Sequence, residues 1–195
     1  MNFTSSIFIA LSLCSSSLLA GTINPENVPS KKQTPQQLYI TPQEAYNMKL
    51  QQGEKILFID IRTRAEVEFV GLPTITDANI PYLVNDFEDW DEKKGRFVKV
   101  PNSNFPLALK ALMKQKGLTE TSTIILMCRS GSRSAKAANL LDQLNFKNVY
   151  SLVEGFEGEK VKSGNNEGKR RLNGWKNANL PWSYTLDRNK MYFEE

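Results

Sequence analysis

Ile124-Ile125-Leu126-Met127-Cys128-Arg129-Ser130-Gly131-Ser132-Arg133-Ser134 is the stretch on which the fold of this chain turns. Its apolar run does not alternate with polar residues, so it reads as a short strand buried on both faces. The run stops at a thiol. A polar loop follows, and then a helical pattern over residues 135–145. In an open parallel sheet, ligands bind at the carboxyl ends of the strands, which places Cys128 in a crevice. Loop N–H groups and the positive end of the helix dipole favour negative charge there. Arg129 and Arg133 add to the same effect. Cys128 is therefore expected to be largely thiolate at neutral pH, the reactive form of cysteine. Its polar, arginine-flanked setting argues against a buried structural thiol.

Outward from this stretch, the chain alternates strands with helices. Leu38-Tyr39-Ile40 suits a short strand. Thr41-Pro42-Gln43-Glu44 is a capping box with Pro at the first helical position, so a helix is expected over residues 42–52, with Gly53 as its stop. Residues 56–61 form a second apolar run of strand length. Asp60 and Arg62 lie at its end, on the same side of the sheet as Cys128. A further helix is expected over 106–116, entered after Ser103-Asn104 and stopped by Gly117. Val149-Tyr150-Ser151 reads as another strand. The pattern predicts an α/β fold with a central parallel sheet flanked by helices on both faces. The sequence carries no visible internal repeat.

Composition narrows the chemistry. The 195 residues suit one domain, and 40% apolar with 10% aromatic content fits a globular chain. A net charge of +4, from 25 basic and 21 acidic residues, favours a mixed solvated surface over a nucleic-acid partner. The chain has no histidine. That removes the commonest general base and metal ligand, and with it hydrolases of the triad type. Cys14 and Cys128 are the only cysteines, too few for a zinc or iron–sulfur cluster. Nothing calls for a metal, a nucleotide or an organic cofactor.

Residues 7–20 are uncharged and mostly apolar, and Ala20-Gly21 offers a small residue for cleavage, so residues 1–20 are expected to be an export signal. The stretch is short for a bilayer span, which takes about 20 apolar residues, and no membrane insertion is expected after cleavage. No Lys or Arg precedes the run, and Leu18 is larger than the residue usually found there. A lipoprotein reading through Cys14 is weaker, because bulky Leu13 precedes it. Export to the periplasm or beyond would leave Cys128 as the sole cysteine, with no intramolecular disulfide. Residues 21–37 read as a flexible lead-in, 38–184 as the folded domain and 185–195 as a tail. Residues 86–94 around Trp90, and the Gly-, Asn- and Lys-rich residues 157–171, look like surface elaborations within insertions at 82–105 and 157–173. Lys169-Arg170-Arg171 offers charge for an anion or a partner, but a solvated loop is the preferred reading.

Cys128-Arg129-Ser130-Gly131-Ser132-Arg133-Ser134 resembles the active-site loop of the rhodanese family of sulfurtransferases. Other segments match in order. Phe58-Ile59-Asp60-Ile61-Arg62, with Glu66 and Phe69 downstream, resembles the family's Asp-x-Arg segment. Ala78-Asn79-Ile80-Pro81 is similar to the segment that follows it. Val153-Glu154-Gly155-Phe156 resembles the strand end and Gly turn after the catalytic helix. Gly174-Trp175 and Leu180-Pro181 resemble the closing segment. The chain departs at Val70-Gly71-Leu72-Pro73-Thr74-Ile75-Thr76-Asp77, where the family often carries Gly-His-Ile, and at the two insertions. These bear on the pocket rim rather than on the loop.

The resemblance implies a single-domain sulfurtransferase in which Cys128 holds a sulfane sulfur as a persulfide. The donor would be a small sulfur-containing anion, either thiosulfate or a persulfide or polysulfide. The acceptor would be an external thiol, cyanide or a partner protein. Arg129, Ser130, Gly131, Ser132, Arg133 and Ser134 would form the substrate loop. In it Arg133 orders the loop or binds the donor, Arg129 guides donor approach, and Gly131 permits a turn that a side chain would obstruct. Asp60 and Arg62 read as a structural ion pair. Two alternatives stay open. A non-catalytic sulfur carrier or binding module would have the same loop. A phosphatase or arsenate reductase needs five residues between Cys and Arg to wrap an oxyanion, whereas four separate Cys128 from Arg133.

Overall fold

The computed structural model describes residues 23–193, so the expected export signal, its cleavage point and Cys14 lie outside the described residues. In chain order the elements are β1 (Tyr39–Ile40), α1 (Pro42–Gln52), β2 (Ile56–Asp60), α2 (Arg64–Val70), β3 (Leu72–Pro73), β4 (Ala78–Asn79), β5 (Leu83–Asp91), β6 (Arg96–Pro101), α3 (Phe105–Gln115), β7 (Thr123–Met127), α4 (Ser132–Gln143), β8 (Asn148–Leu152) and β9 (Trp182–Ser183).

Local chemistry sets the helix ends. Thr41 Oγ1 accepts from the Glu44 N–H at 3.2 Å while the Glu44 carboxylate accepts from the Thr41 N–H at 2.8 Å, a closed capping box at the start of α1. The same device starts α2, where Thr63 and Glu66 exchange bonds of 3.1 and 3.2 Å. With only seven residues and no apolar period, α2 was not readable as a helix in advance. The helix after the cysteine begins at Ser132, three residues earlier than its apolar pattern predicts. Gly131 turns the chain directly into it.

Five strands form the central sheet in the order β1-β8-β7-β2-β4, and every neighbouring pair is parallel. Both faces are covered. Leu57, Ile59, Ile124 and Leu126 pack with Phe105 and Leu109 of α3 and with Ala138 and Leu141 of α4. Ile56, Phe58, Ile125 and Met127 face the opposite way, toward Ala45 and Met48 of α1 and toward Phe156 and Trp175. Double burial is why neither strand alternates in sequence. Trp175 is fully buried, its ring centroid 5.3 Å from that of Phe58 and its indole N–H on Pro181 O at 3.0 Å. A side chain of that size contributes about 3 kcal/mol by leaving water.

Other segments differ from their expected form. The lead-in does not hang free: Val28, Lys32 and Thr34 are buried, and Gln36 bonds Phe146 O at 2.7 Å and the Val149 N–H at 3.0 Å. Its polar composition hid this, because the docking runs through side-chain amides and an ammonium rather than through an apolar stripe. Residues 83–101, expected as a charged surface elaboration, form an antiparallel hairpin of β5 with β6. Near the C-terminus, Met191 makes a parallel bridge to Asn79, and the Tyr192 N–H donates to Asn79 O at 3.1 Å on the β4 edge. Among the described residues, no helix is long and apolar enough to cross a membrane.

Candidate active site

Cys128 follows the last residue of β7, whose Met127 is in register with Asp60 of β2. The chain after β8 folds back to hold the loop by its backbone. The Phe156 N–H donates to Cys128 O at 2.8 Å, and the Glu157 N–H to Arg129 O at 3.0 Å. That close approach requires Gly155, at φ +67°, where a Cβ would lie 2.4 Å from the Ser130 nitrogen. Gly131 sits at φ +93° and would place a Cβ 2.1 Å from Val153 O. Two glycines thus let the loop and the 153–158 turn interlock.

The turn at Gly131 aims its N–H at the cysteine, with N to Sγ 3.1 Å. The sulfur is nearly enclosed, at 1% exposure. Burial by itself pushes a thiol up. Here the Arg133 guanidinium charge, together with Ser134 and the Ser130 N–H, outweighs burial and holds Cys128 below the ordinary cysteine value. The Ser134 hydroxyl is buried and, among the described residues, meets no partner in ordinary hydrogen-bond geometry.

Arg133, on the first turn of α4, is anchored across the site. Its two terminal nitrogens donate to the two oxygens of Glu66 at 2.7 and 2.6 Å, a bidentate fork. Lys99 from β6 reaches the same carboxylate at 3.2 Å. Burial would raise the Glu66 carboxyl, but Arg133 and then Lys99 hold it well below the usual carboxylate range. The fork commits the Arg133 guanidinium to loop order while its charge still acts on the sulfur. Arg129 is half-buried at the rim, and its Nε has no partner among the described residues. Ser130 and Ser132 are half-buried beside it.

Asp60 and Arg62 are fully buried and paired, with Arg62 Nη2 on Asp60 Oδ2 at 2.6 Å. The same nitrogen donates to Gly71 O at 2.7 Å, and the guanidinium lies 4.0 Å from the Phe156 ring centroid. Asn79 closes the cluster by donating to Asp60 O and Arg62 O. The pair braces the carboxyl end of β2, and its side-chain hydrogen bonds among the described residues run within the pair and to Gly71, with Asn79 on the backbone carbonyls. Of the loop residues, Ser130, Gly131, Arg133 and Ser134 act on Cys128.

Sequence reasoning did not assign Glu66, Lys99 or Lys32 to the site. The Thr63-x-x-Glu66 spacing marks a capping box, yet the same carboxylate also takes Arg133, 67 residues away, which no local signal announces. Lys32 donates to Val153 O at 2.8 Å and to Glu159 at 2.6 Å. It thereby fixes the carbonyl against which Gly131 packs. A thiol whose pKa is lowered in this way gives up its proton more readily, so chemistry at this sulfur would not depend on a histidine base, which the chain lacks.

A family model for the rhodanese-like domain matches residues 41–160. An uncharacterized protein of Rickettsia conorii, RC0915, is 32% identical over 146 residues, covering 72% of this chain and 93% of its own. Another from Rickettsia prowazekii, RP600, is 33% identical over 142 residues with the same coverage. Among solved structures, Rv0390 from M. tuberculosis superposes with a TM-score of 0.56 at 26% identity, over 75% of this chain and 96% of that one. A family match that spans four of the five sheet strands, the cysteine loop and the Glu66 fork agrees with the geometry built above, and the chain belongs to the rhodanese-like domain family.

Proposed function

We propose that the protein is a sulfurtransferase that carries a sulfane sulfur on Cys128. The observation that supports this reading best is the cradle of the sulfur: an enclosed thiol held below its ordinary pKa by Arg133, with the Gly131 N–H 3.1 Å from Sγ. In the proposed cycle, the Cys128 thiolate attacks the outer sulfur of thiosulfate. A Cys–S bond forms, the donor S–S bond breaks, and sulfite departs with the electron pair. A persulfide or polysulfide donor follows the same course with a thiolate as leaving group. The persulfide anion then rests on the loop N–H groups and the Arg133 field. An external thiolate or cyanide takes the terminal sulfur and returns the pair to Sγ. The enclosure favours donors that present a terminal sulfur on a small head.

The test is an intact mass spectrum of the chain lacking residues 1–20, incubated with thiosulfate beside a Cys128→Ser control. Gain of one sulfur, absent in the control and reversed by cyanide, is the expected result. No gain with thiosulfate or with a polysulfide overturns the reading and leaves a binding module. Export belongs to the same proposal, on the strength of residues 1–20. Sequencing the N-terminus of the protein as the cell makes it checks that point, and a retained Met1 overturns it.

A further inference from the structure

The insertion at 157–173 builds a cavity beside the cysteine loop that thiosulfate would not fill. Its volume is about 770 Å³, and its walls carry Lys160, Lys169, Arg170, Arg171 and Lys176, with Glu157 the sole carboxylate among them. That volume falls in the range of sites for small organic ligands, about 300–1,000 Å³. The cations are not spent on carboxylates: among the described residues, none of the five makes a salt bridge. Glu159, which adjoins Lys160 in sequence, is taken by Lys32 at 2.6 Å. A lining with five cations and one carboxylate carries net positive charge and attracts anions.

The cavity wall is built rather than loose. Lys160 and Arg170 face each other in an antiparallel bridge, and the Val161 N–H donates to Lys169 O at 2.9 Å. The ends of the insertion are stapled by the Glu159 N–H on Asn173 Oδ1 at 2.8 Å. The Lys176 ammonium lies over the Trp182 ring at 4.0 Å and donates to Val70 O at 3.2 Å. The wall is also joined to the reactive loop, since the Glu157 and Gly158 N–H groups both donate to Arg129 O. Arg170 stands close enough to feel the loop's charges. Burial first, and then the Arg129 guanidinium, hold it below its ordinary value.

We propose that this basic cavity seats the carboxylates of an anionic thiol that takes the sulfur from Cys128. The assignment rests on the sulfurtransferase reading and names its acceptor class: a small thiol bearing two or more carboxylates. Its thiolate attacks the terminal sulfur of the Cys128 persulfide, a new S–S bond forms on the acceptor, and the Sγ–S bond breaks. The electron pair returns to Sγ, and the acceptor leaves as a persulfide with no other oxidant or reductant.

The experiment compares mercaptosuccinate with mercaptoethanol as acceptors for the thiosulfate-loaded full chain, at low ionic strength. The double variant Lys169→Gln/Arg171→Gln alters two exposed side chains of the wall. The ratio of KM for mercaptosuccinate to KM for mercaptoethanol is expected to rise about fivefold in the variant, the effect of two partly screened charges. Citrate is expected to compete with mercaptosuccinate in the unaltered chain and to do so more weakly in the variant. An unchanged ratio, or citrate that competes equally in both proteins, overturns the acceptor assignment alone. Failure of the unaltered chain to load sulfur, read separately by mass, overturns the sulfurtransferase reading and the acceptor assignment with it.

Discussion

Burial and charge pull the Cys128 thiol in opposite directions, and Arg133 decides the balance. In Arg133→Met burial of the thiol meets less opposition, so the ultraviolet thiolate absorbance should titrate at higher pH than in the unaltered chain. An unmoved midpoint would assign the shift to the loop N–H groups instead. Glu66 carries the other half of that arrangement. Glu66→Gln leaves a buried guanidinium without its counter-charge and is expected to cost about 3 kcal/mol in urea unfolding. The sign of the pH dependence follows from the folded carboxyl lying below its unfolded value. Its contribution is complete above the unfolded carboxyl value of about 4.3 and is lost as pH falls through the folded value. The stability gap between the unaltered chain and Glu66→Gln should therefore be steady near neutrality and close in acid. A gap that widens in acid would contradict the assignment.

At the scale of elements, the reactive loop is a joint between β7 and α4 that depends on Gly131. An alanine there takes on a backbone conformation that L side chains rarely adopt, and its Cβ meets Val153 O at 2.1 Å. Gly131→Ala is expected to cost at least about 2 kcal/mol and to abolish sulfur loading, because the N–H that faces Sγ moves with the turn. Loading at the unaltered rate would show that another donor holds the sulfur. The elements also mark the limits of local reading. The capping box at Thr41 and the stop at Gly53 placed α1 at its observed bounds, since both signals lie within the helix itself. The helix α2 was missed because its start is a cap and its body is too short to show a period. The early start of α4 was missed because Ser132 and Arg133 look like loop residues until Gly131 is seen to supply the turn.

Across the whole molecule, the segment before β1 braces the site from outside the sheet. Lys32 is 4% exposed and donates to Val153 O, the atom against which Gly131 packs, and to Glu159 at the foot of the basic insertion. Lys32→Ala is expected to lower stability by about 2 kcal/mol, the scale of charged hydrogen bonds, in urea unfolding. It should also slow sulfur loading of Cys128, and an unchanged loading rate would confine Lys32 to a stabilising role. By itself the sequence determined the layer architecture, the two doubly buried strands and the position of the cysteine at a strand end. Those features follow from continuous apolar runs, caps and glycines within a few residues of one another. Tertiary structure alone decided that Arg133 is locked to Glu66 and that a polar lead-in braces the loop through Lys32 and Val153. Each of these joins side chains far apart in the chain, and the energy of such a contact depends on a distance that only the folded backbone sets.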